Sequence, residues 1–212
     1  LDACANLTLA IKDTLVSSFG ITGGTTYNAS SRTMCQKQFS IGTSVEGRSI
    51  MAYSFGNGPA KYLFMSNLHG DEKSGYYILS AWTDYLESHP EDIPVGRTIV
   101  IIPHLNPDGY AHSTRYNAHN VDLNRNFPSA SWKSDVKLLG GSILVNGGGN
   151  APLSEPESKA IKDYIEQLSP TLVMSYHSQG GLVIANGSGN SNAIASMYAA
   201  AVDYRHVPTE DR

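Results

Sequence analysis

The apolar, β-prone runs of this chain stop at polar motifs. Lys61 to Asn67 runs into His69-Gly70-Asp71-Glu72, Arg97 to Pro103 into Asn106-Pro107-Asp108-Gly109, and Leu172 to Tyr176 into His177-Ser178. Together with Ser49 to Phe55 these short runs, bounded by Gly, Pro or Asn, read as strands. Between them, Ser74 to Leu86 carries Tyr77, Leu79, Ala81, Trp82 and Leu86 at helical spacing. Ser154-Glu155-Pro156-Glu157 has the form of a capping box opening a second helix through Ile161, Tyr164, Ile165 and Leu168. Strands alternating with helices predict an α/β fold, a three-layer α/β/α arrangement around a mixed, largely parallel twisted sheet. In open sheets of that class ligands bind at the carboxyl ends of the strands, so the three motifs are expected to meet there despite their separation in sequence.

Two imidazoles and a carboxylate, from His69, Glu72 and His177, form a zinc set with one position left for water, whereas structural zinc sites fill all four. Taken singly, each histidine reads more readily as a satisfied loop or core residue than as a ligand, and it is their joint placement at strand ends that points to a metal. The spacing of His69 and Glu72 lets one turn aim both at a single ion. Such an ion lowers the pKa of its water toward ~7 and polarises a carbonyl, which is hydrolytic chemistry. Asp71, between the two, reads either as a second carboxylate orienting a histidine or as a solvated turn residue. Arg115, Asn124 and Arg125 are planar donors suited to a carboxylate or a developing oxyanion. In Val121-Asp122-Leu123-Asn124-Arg125-Asn126-Phe127-Pro128 polar and apolar residues interleave, so some of these polar groups are expected to be buried.

With 212 residues, 41% of them hydrophobic, the chain can bury one sizeable core, and one domain over 1–212 is the expectation. A net charge of -4 without Lys/Arg clusters excludes a nucleic-acid or anionic-membrane footprint. The apolar runs fall well short of the ~20 residues that cross a bilayer. Residues 5 to 18 have roughly helical apolar spacing, and Ala193 to Tyr204 reads as a late helix. The Gly-rich stretch from 129 to 153 reads as a long connection, of a kind usually mobile or set beside a site. Cys4 and Cys35 form a disulfide or are two small buried residues, and their spacing does not decide. A bridge, with a first residue that is not Met, would fit an exported, extracytoplasmic (secreted or periplasmic) protein.

These motifs resemble those of the zinc metallocarboxypeptidases, the carboxypeptidase A/B-like exopeptidases and their bacterial relatives that cut peptidoglycan peptides. The resemblance runs from Gly47-Arg48-Ser49-Ile50 through His69-Gly-Asp-Glu72, Asn106-Pro-Asp-Gly-Tyr110, Arg115, Val121 to Phe127 and Ser154-Glu-Pro-Glu157 to Tyr176-His-Ser178. It implies Zn2+ held by His69, Glu72 and His177. It also implies that Arg115 stabilises the tetrahedral oxyanion, and that Asn124 and Arg125 grip the free C-terminal carboxylate of a peptide substrate. The implied reaction is release of a C-terminal residue, and Tyr176-His-Ser-Gln-Gly-Gly181 leans toward the bacterial branch that trims cell-wall peptides.

The family places its general-base glutamate on a late strand tens of residues beyond the third ligand. Here Glu210 is the only glutamate after His177, and no apolar strand leads to it. The resemblance therefore implies a single zinc-peptidase domain short of its C-terminal strand or strands, a base from an unusual place, or a zinc-binding module without turnover. N-acyl-amino-acid deacylases of the aspartoacylase and desuccinylase type share the His-Gly-x-Glu opening and stand as a further alternative. Asn106-Pro-Asp-Gly-Tyr110 favours the peptidases.

Overall fold

A computed structural model describes residues 37–138, 140–178, 180–187 and 189–208. The expected helix at 5 to 18, Cys4, Cys35 and Glu210 lie outside them. The described residues form two compact bodies, one reaching to Ser178 and one beginning after it.

In the larger body β1 (Lys37–Thr43), β2 (Ser49–Gly56), β3 (Ala60–Ser66), β4 (Arg97–Ile102) and β7 (Leu172–Tyr176) form one sheet in the order β1-β2-β4-β3-β7. The β1/β2 and β2/β4 pairings are antiparallel, while β4/β3 and β3/β7 are parallel. The sheet is mixed, with its parallel part confined to the three strands that precede the polar motifs. Their carboxyl ends, Ile102, Ser66 and Tyr176, share one edge.

Both faces of the sheet are covered, because neighbouring residues of the central strands are buried on opposite sides. Ile50, Ala52, Leu63, Val100 and Ile102 form the core of one face with Leu105, Leu123 and Ile161, and Ala160, Tyr164, Ile165 and Leu168 of α3 (Pro156–Leu168) close it. On the other face α1 (Lys73–Ser88) buries Leu79, Trp82 and Leu86, and the Trp82 ring meets Phe64 edge-on at 4.8 Å. Burying each such side chain contributes about 1.5–3 kcal/mol. The result is three α/β/α layers. Pro90 stops α1, since it cannot continue the helix.

The second helix begins differently from the sequence expectation. Its first residue is Pro156, Glu155 is the N-cap, and the Ser154 hydroxyl donates to Glu155 Oε1 at 2.7 Å instead of capping the helix. Glu157 is fully buried, accepting from the Val45 amide at 3.2 Å and Asn117 Nδ2 at 3.1 Å. These carboxylates tie the loops before α3 together.

The long connection holds a small hairpin, β5 (Val136–Lys137) with β6 (Ile143–Leu144), and is pinned where the Asp122 amide donates to Gly147 O at 2.8 Å. The body after Ser178 contains β8 (Leu182–Ile184), α4 (Ser191–Val202) and β9 (Arg205–Val207), with β8 and β9 paired in parallel. The expected late helix is α4, displaced by two residues, and the two strands were not anticipated. None of the helices in the described residues is long and apolar enough to cross a membrane.

Candidate metal centre

Directly after β3 the chain reverses through Asn67, whose φ of 56° is the left-handed conformation that asparagine tolerates better than most residues. Its buried Nδ2 donates to His69 O at 2.9 Å and fixes the turn. Glu72 N returns to His69 O at 3.2 Å, so residues three apart point to the same side. A second turn follows β4: the Asn106 amide donates to Asn67 O at 3.0 Å, and its side chain caps α2 (Pro107–Ala111) by accepting from Gly109 N at 2.9 Å. The two turns touch backbone to backbone, because a Cβ on Gly70 would stand 2.0 Å from the Gly109 carbonyl carbon. Asp108 is completely buried, held by Ser44 Oγ at 2.7 Å, the Glu46 amide at 2.9 Å and Arg48 at 2.5 Å.

His177 enters from the end of β7. Its Nδ1 lies 2.9 Å from Glu72 Oε2 and 3.1 Å from His69 Nδ1, and His69 Nδ1 lies 2.8 Å from Glu72 Oε1. Two donors bound to one tetrahedral ion at about 2.1 Å are roughly 3.4 Å apart, so a small outward shift of each admits a cation. One ligand atom from each residue lies within 4.8 Å of the others.

The far nitrogen of His69, Nε2, faces Asp122 Oδ1 at 3.2 Å. A proton on Nε2 donated to that carboxylate leaves the Nδ1 lone pair directed at the cluster, the tautomer a metal ligand requires. The donor set and its spacing fit zinc.

Burial alone would lower the His69 pKa, yet the Asp122 and Glu72 carboxylates outweigh it and raise it. Burial pushes the Glu72 carboxyl up, but the His177 and His69 rings and the Ser178 amide, 3.1 Å from Oε2, hold it well below the usual range. Asp122, likewise buried, is held low by His69 and Arg115. Two carboxylates thus stay ionised with little solvent around them, held so by the histidine rings and the Arg115 guanidinium.

Arg115 stands beside this cluster, its Nε donating to Asp122 Oδ2 at 3.0 Å and one terminal nitrogen to Glu72 Oε1 at 3.4 Å. Asp122 also caps the turn Leu123–Arg125 by accepting from Asn124 N at 3.0 Å. That turn presents Asn124 and Arg125 to solvent while Leu123 and Asn126 are buried, as the interleaved pattern requires. Arg125 donates to Asn124 O at 3.1 Å, which steadies the guanidinium.

His69, Arg115 and the turn carrying Asn124 and Arg125 are therefore tied to one carboxylate, Asp122, which sequence reading had not singled out, and Glu72 and His177 adjoin it through His69. Asp71, read either as a carboxylate orienting a histidine or as a solvated turn residue, lies exposed as in the second reading, and the carboxylate that faces a histidine is Asp122. The signal was available: the spacing that brings residues 69 and 72 together turns 71 away, and Asp122 heads the Asp-Leu-Asn-Arg turn.

Comparison with known proteins decides the lineage. A family model described as zinc carboxypeptidase matches residues 28–208. The chain belongs to the zinc carboxypeptidase family. It is 30% identical over 160 residues to carboxypeptidase SOL1 of Arabidopsis thaliana, covering 70% of this chain and 30% of that protein. With murein peptide amidase A of Escherichia coli K12 it shares 34% identity over 123 residues, covering 54% of this chain and 48% of that one. The chain thus spans less than half the length of these curated relatives.

Among solved structures, the murein-tripeptide amidase of Escherichia coli O157 superposes with a TM-score of 0.63 at 26% identity, covering 82% of this chain and 74% of the other. A carboxypeptidase A from Helicoverpa armigera shares the fold with a TM-score of 0.65 at 22% identity, over 94% of this chain and 63% of that one.

Proposed function

We propose that this protein is a zinc-dependent carboxypeptidase that releases the C-terminal residue of a peptide with a free terminal carboxylate. The supporting observation is the convergence of His69 Nδ1, Glu72 and His177 Nδ1, with the Arg115 guanidinium hydrogen-bonded to the same Glu72 carboxylate. His69, Glu72 and His177 would hold the zinc, which when bound supplies Lewis acidity and an acidified water. Asp122 fixes the His69 tautomer and at the same time orients Arg115. Because Arg115 is already held through Nε, its terminal nitrogens are preorganised for negative charge developing on a carbonyl oxygen beside the cluster. Asn124 and Arg125, exposed on the turn that Asp122 caps, are placed to bind the substrate carboxylate.

The substrate class best supported is a cell-wall peptide, in keeping with the Tyr176-His-Ser-Gln-Gly-Gly181 segment and with similarity to proteins named as murein peptide amidases. We further propose an extracytoplasmic location, where a peptide of the wall itself would be met. Chelation should abolish release of the terminal residue from an unblocked peptide, added zinc should restore it, and the amidated peptide should resist. Equal cleavage of the amidated peptide removes the carboxylate grip. Hydrolysis of small acylated amino acids without action on peptides replaces the proposal with a deacylase.

A further inference from the structure

The three ligands are held unequally. His69 is buried, with one ring nitrogen on Asp122 and the other toward Glu72. Glu72 is buried and accepts from the Ser178 amide and from Arg115. His177 has a side chain 30% exposed and follows β7, which ends the five-stranded sheet among the described residues. Among the described residues its ring meets only the other two ligands, His69 and Glu72, at hydrogen-bond distance. Its place is therefore set largely by how the chain leaves β7.

Two features of the first turn of α1 bear on that exit. Ser74 Oγ and Ser178 Oγ share a hydrogen bond of 2.5 Å, linking the second residue after Glu72 to the first after His177. Gly75 brings the helix close, since a Cβ there would stand 2.9 Å from Ser66 Cβ and 3.3 Å from Tyr176 Cβ. With Ser178 N donating to Glu72 Oε2 at 3.1 Å, the hydroxyl pair completes a closed path from Glu72 through Ser74 and Ser178 back to Glu72. No segment of that path requires a metal.

We propose that Ser74 is a positioning residue for the third metal ligand, latching Ser178 so that His177 is presented to the ion before the ion arrives. The inference rests on the metal-centre reading above. Ordering one ligand in advance removes part of the entropy lost on binding, so the latch acts on metal affinity. A residue orienting a ligand is commonly worth 10- to 100-fold in metal affinity, and because this hydroxyl pair is exposed to competing water a smaller effect, about 3- to 10-fold, is expected.

The test is a double-mutant cycle of Ser74→Ala and Ser178→Ala, read as zinc affinity by competition with a chromophoric chelator and as the melting midpoint of the metal-free protein. Each single variant should bind zinc about 3- to 10-fold more weakly, and the double variant no more weakly than either, because removing one hydroxyl already breaks the shared bond. Ser74→Thr, which keeps a hydroxyl, should recover the affinity, and the metal-free midpoints should coincide. Single variants within twofold of the parent, additive losses, or a lower metal-free midpoint in both Ser74→Ala and Ser74→Thr would each overturn the latch. A His177→Ala variant that binds zinc like the parent would instead overturn the metal-centre reading itself.

Discussion

A Cβ at Gly70 would stand 2.0 Å from the carbonyl carbon of Gly109 and 2.3 Å from Tyr110 N, both backbone atoms that cannot turn aside. The two glycines let the turns after β3 and β4 approach closely enough for Gly70 N to donate to Arg115 O at 3.3 Å, which sets Arg115 beside the ligand turn. Gly70→Ala must therefore part the turns, and a destabilisation of about 3 kcal/mol is expected, at the upper end of overpacking costs. Gly140→Ala, where a Cβ meets nothing within 4 Å, should stay within about 0.5 kcal/mol of the parent. Urea midpoints of the two variants provide the comparison, and equal values would show that the turns are not in tight contact. The same turn explains the exchange of Asp71 for Asp122. Spacing alone pairs residues 69 and 72 and turns 71 outward, whereas the carboxylate reaching His69 Nε2 is 53 positions further along the chain.

At the scale of elements, β3, β4 and α1 were legible because each buries several large apolar residues and ends at a breaker, and β7, none of whose residues is fully buried, because its short β-prone run stops at the polar motif His177-Ser178. The first strand was not anticipated. Lys37–Thr43 offers only Phe39 and Ile41 as large apolar residues, and as an edge strand it is half exposed. Strands of two or three residues, such as β5, β6, β8 and β9, are too short to show any period. The start of α3 was misplaced because Ser154 bonds forward to a buried glutamate and not to the helix amides.

Beyond the end of β4 lies His104, with Tyr76 at 5.1 Å and Tyr110 at 4.5 Å between ring centres, and its buried Nε2 has no hydrogen-bond partner among the described residues. Burial lowers its pKa to about 4. The unfolded chain takes up a proton there near pH 6.5 and the folded chain does not. The associated stability is therefore fully present above about pH 6.5 and is lost as pH falls toward 4. Allowing for partial exposure, the loss is on the order of 2 kcal/mol. His104→Leu should flatten the fall in melting midpoint between pH 7 and pH 4.5, and a parallel fall in both proteins would show that His104 is not its source.

Across the whole larger body, the cluster of His69, Glu72 and His177 joins segments 108 positions apart at the ends of two adjacent parallel strands. The meeting at one sheet edge could be anticipated, since it follows from strand order and polarity alone. The network centred on Asp122 was legible only in part: the Asp-Leu-Asn-Arg motif marks the residue, but its bonds to His69 and Arg115 depend on turn geometry that a linear pattern does not carry. An ion bound only by the folded chain stabilises it by mass action, about 2.7 kcal/mol at a free concentration one hundred times its dissociation constant. For a body of this size that corresponds to a rise in melting midpoint of roughly 5–10 °C. The rise should disappear with chelator and should be absent in His177→Ala, since losing the ligand on β7 unlinks the two segments. Amide exchange should slow on zinc addition around Asn67 to Glu72 and Tyr176 to Ser178 and should change little at the β5/β6 hairpin, which supplies no ligand. Uniform slowing throughout the body would instead mean that the ion stabilises it only globally, whereas slowing confined to those two segments is the signature of a cross-link at the sheet edge.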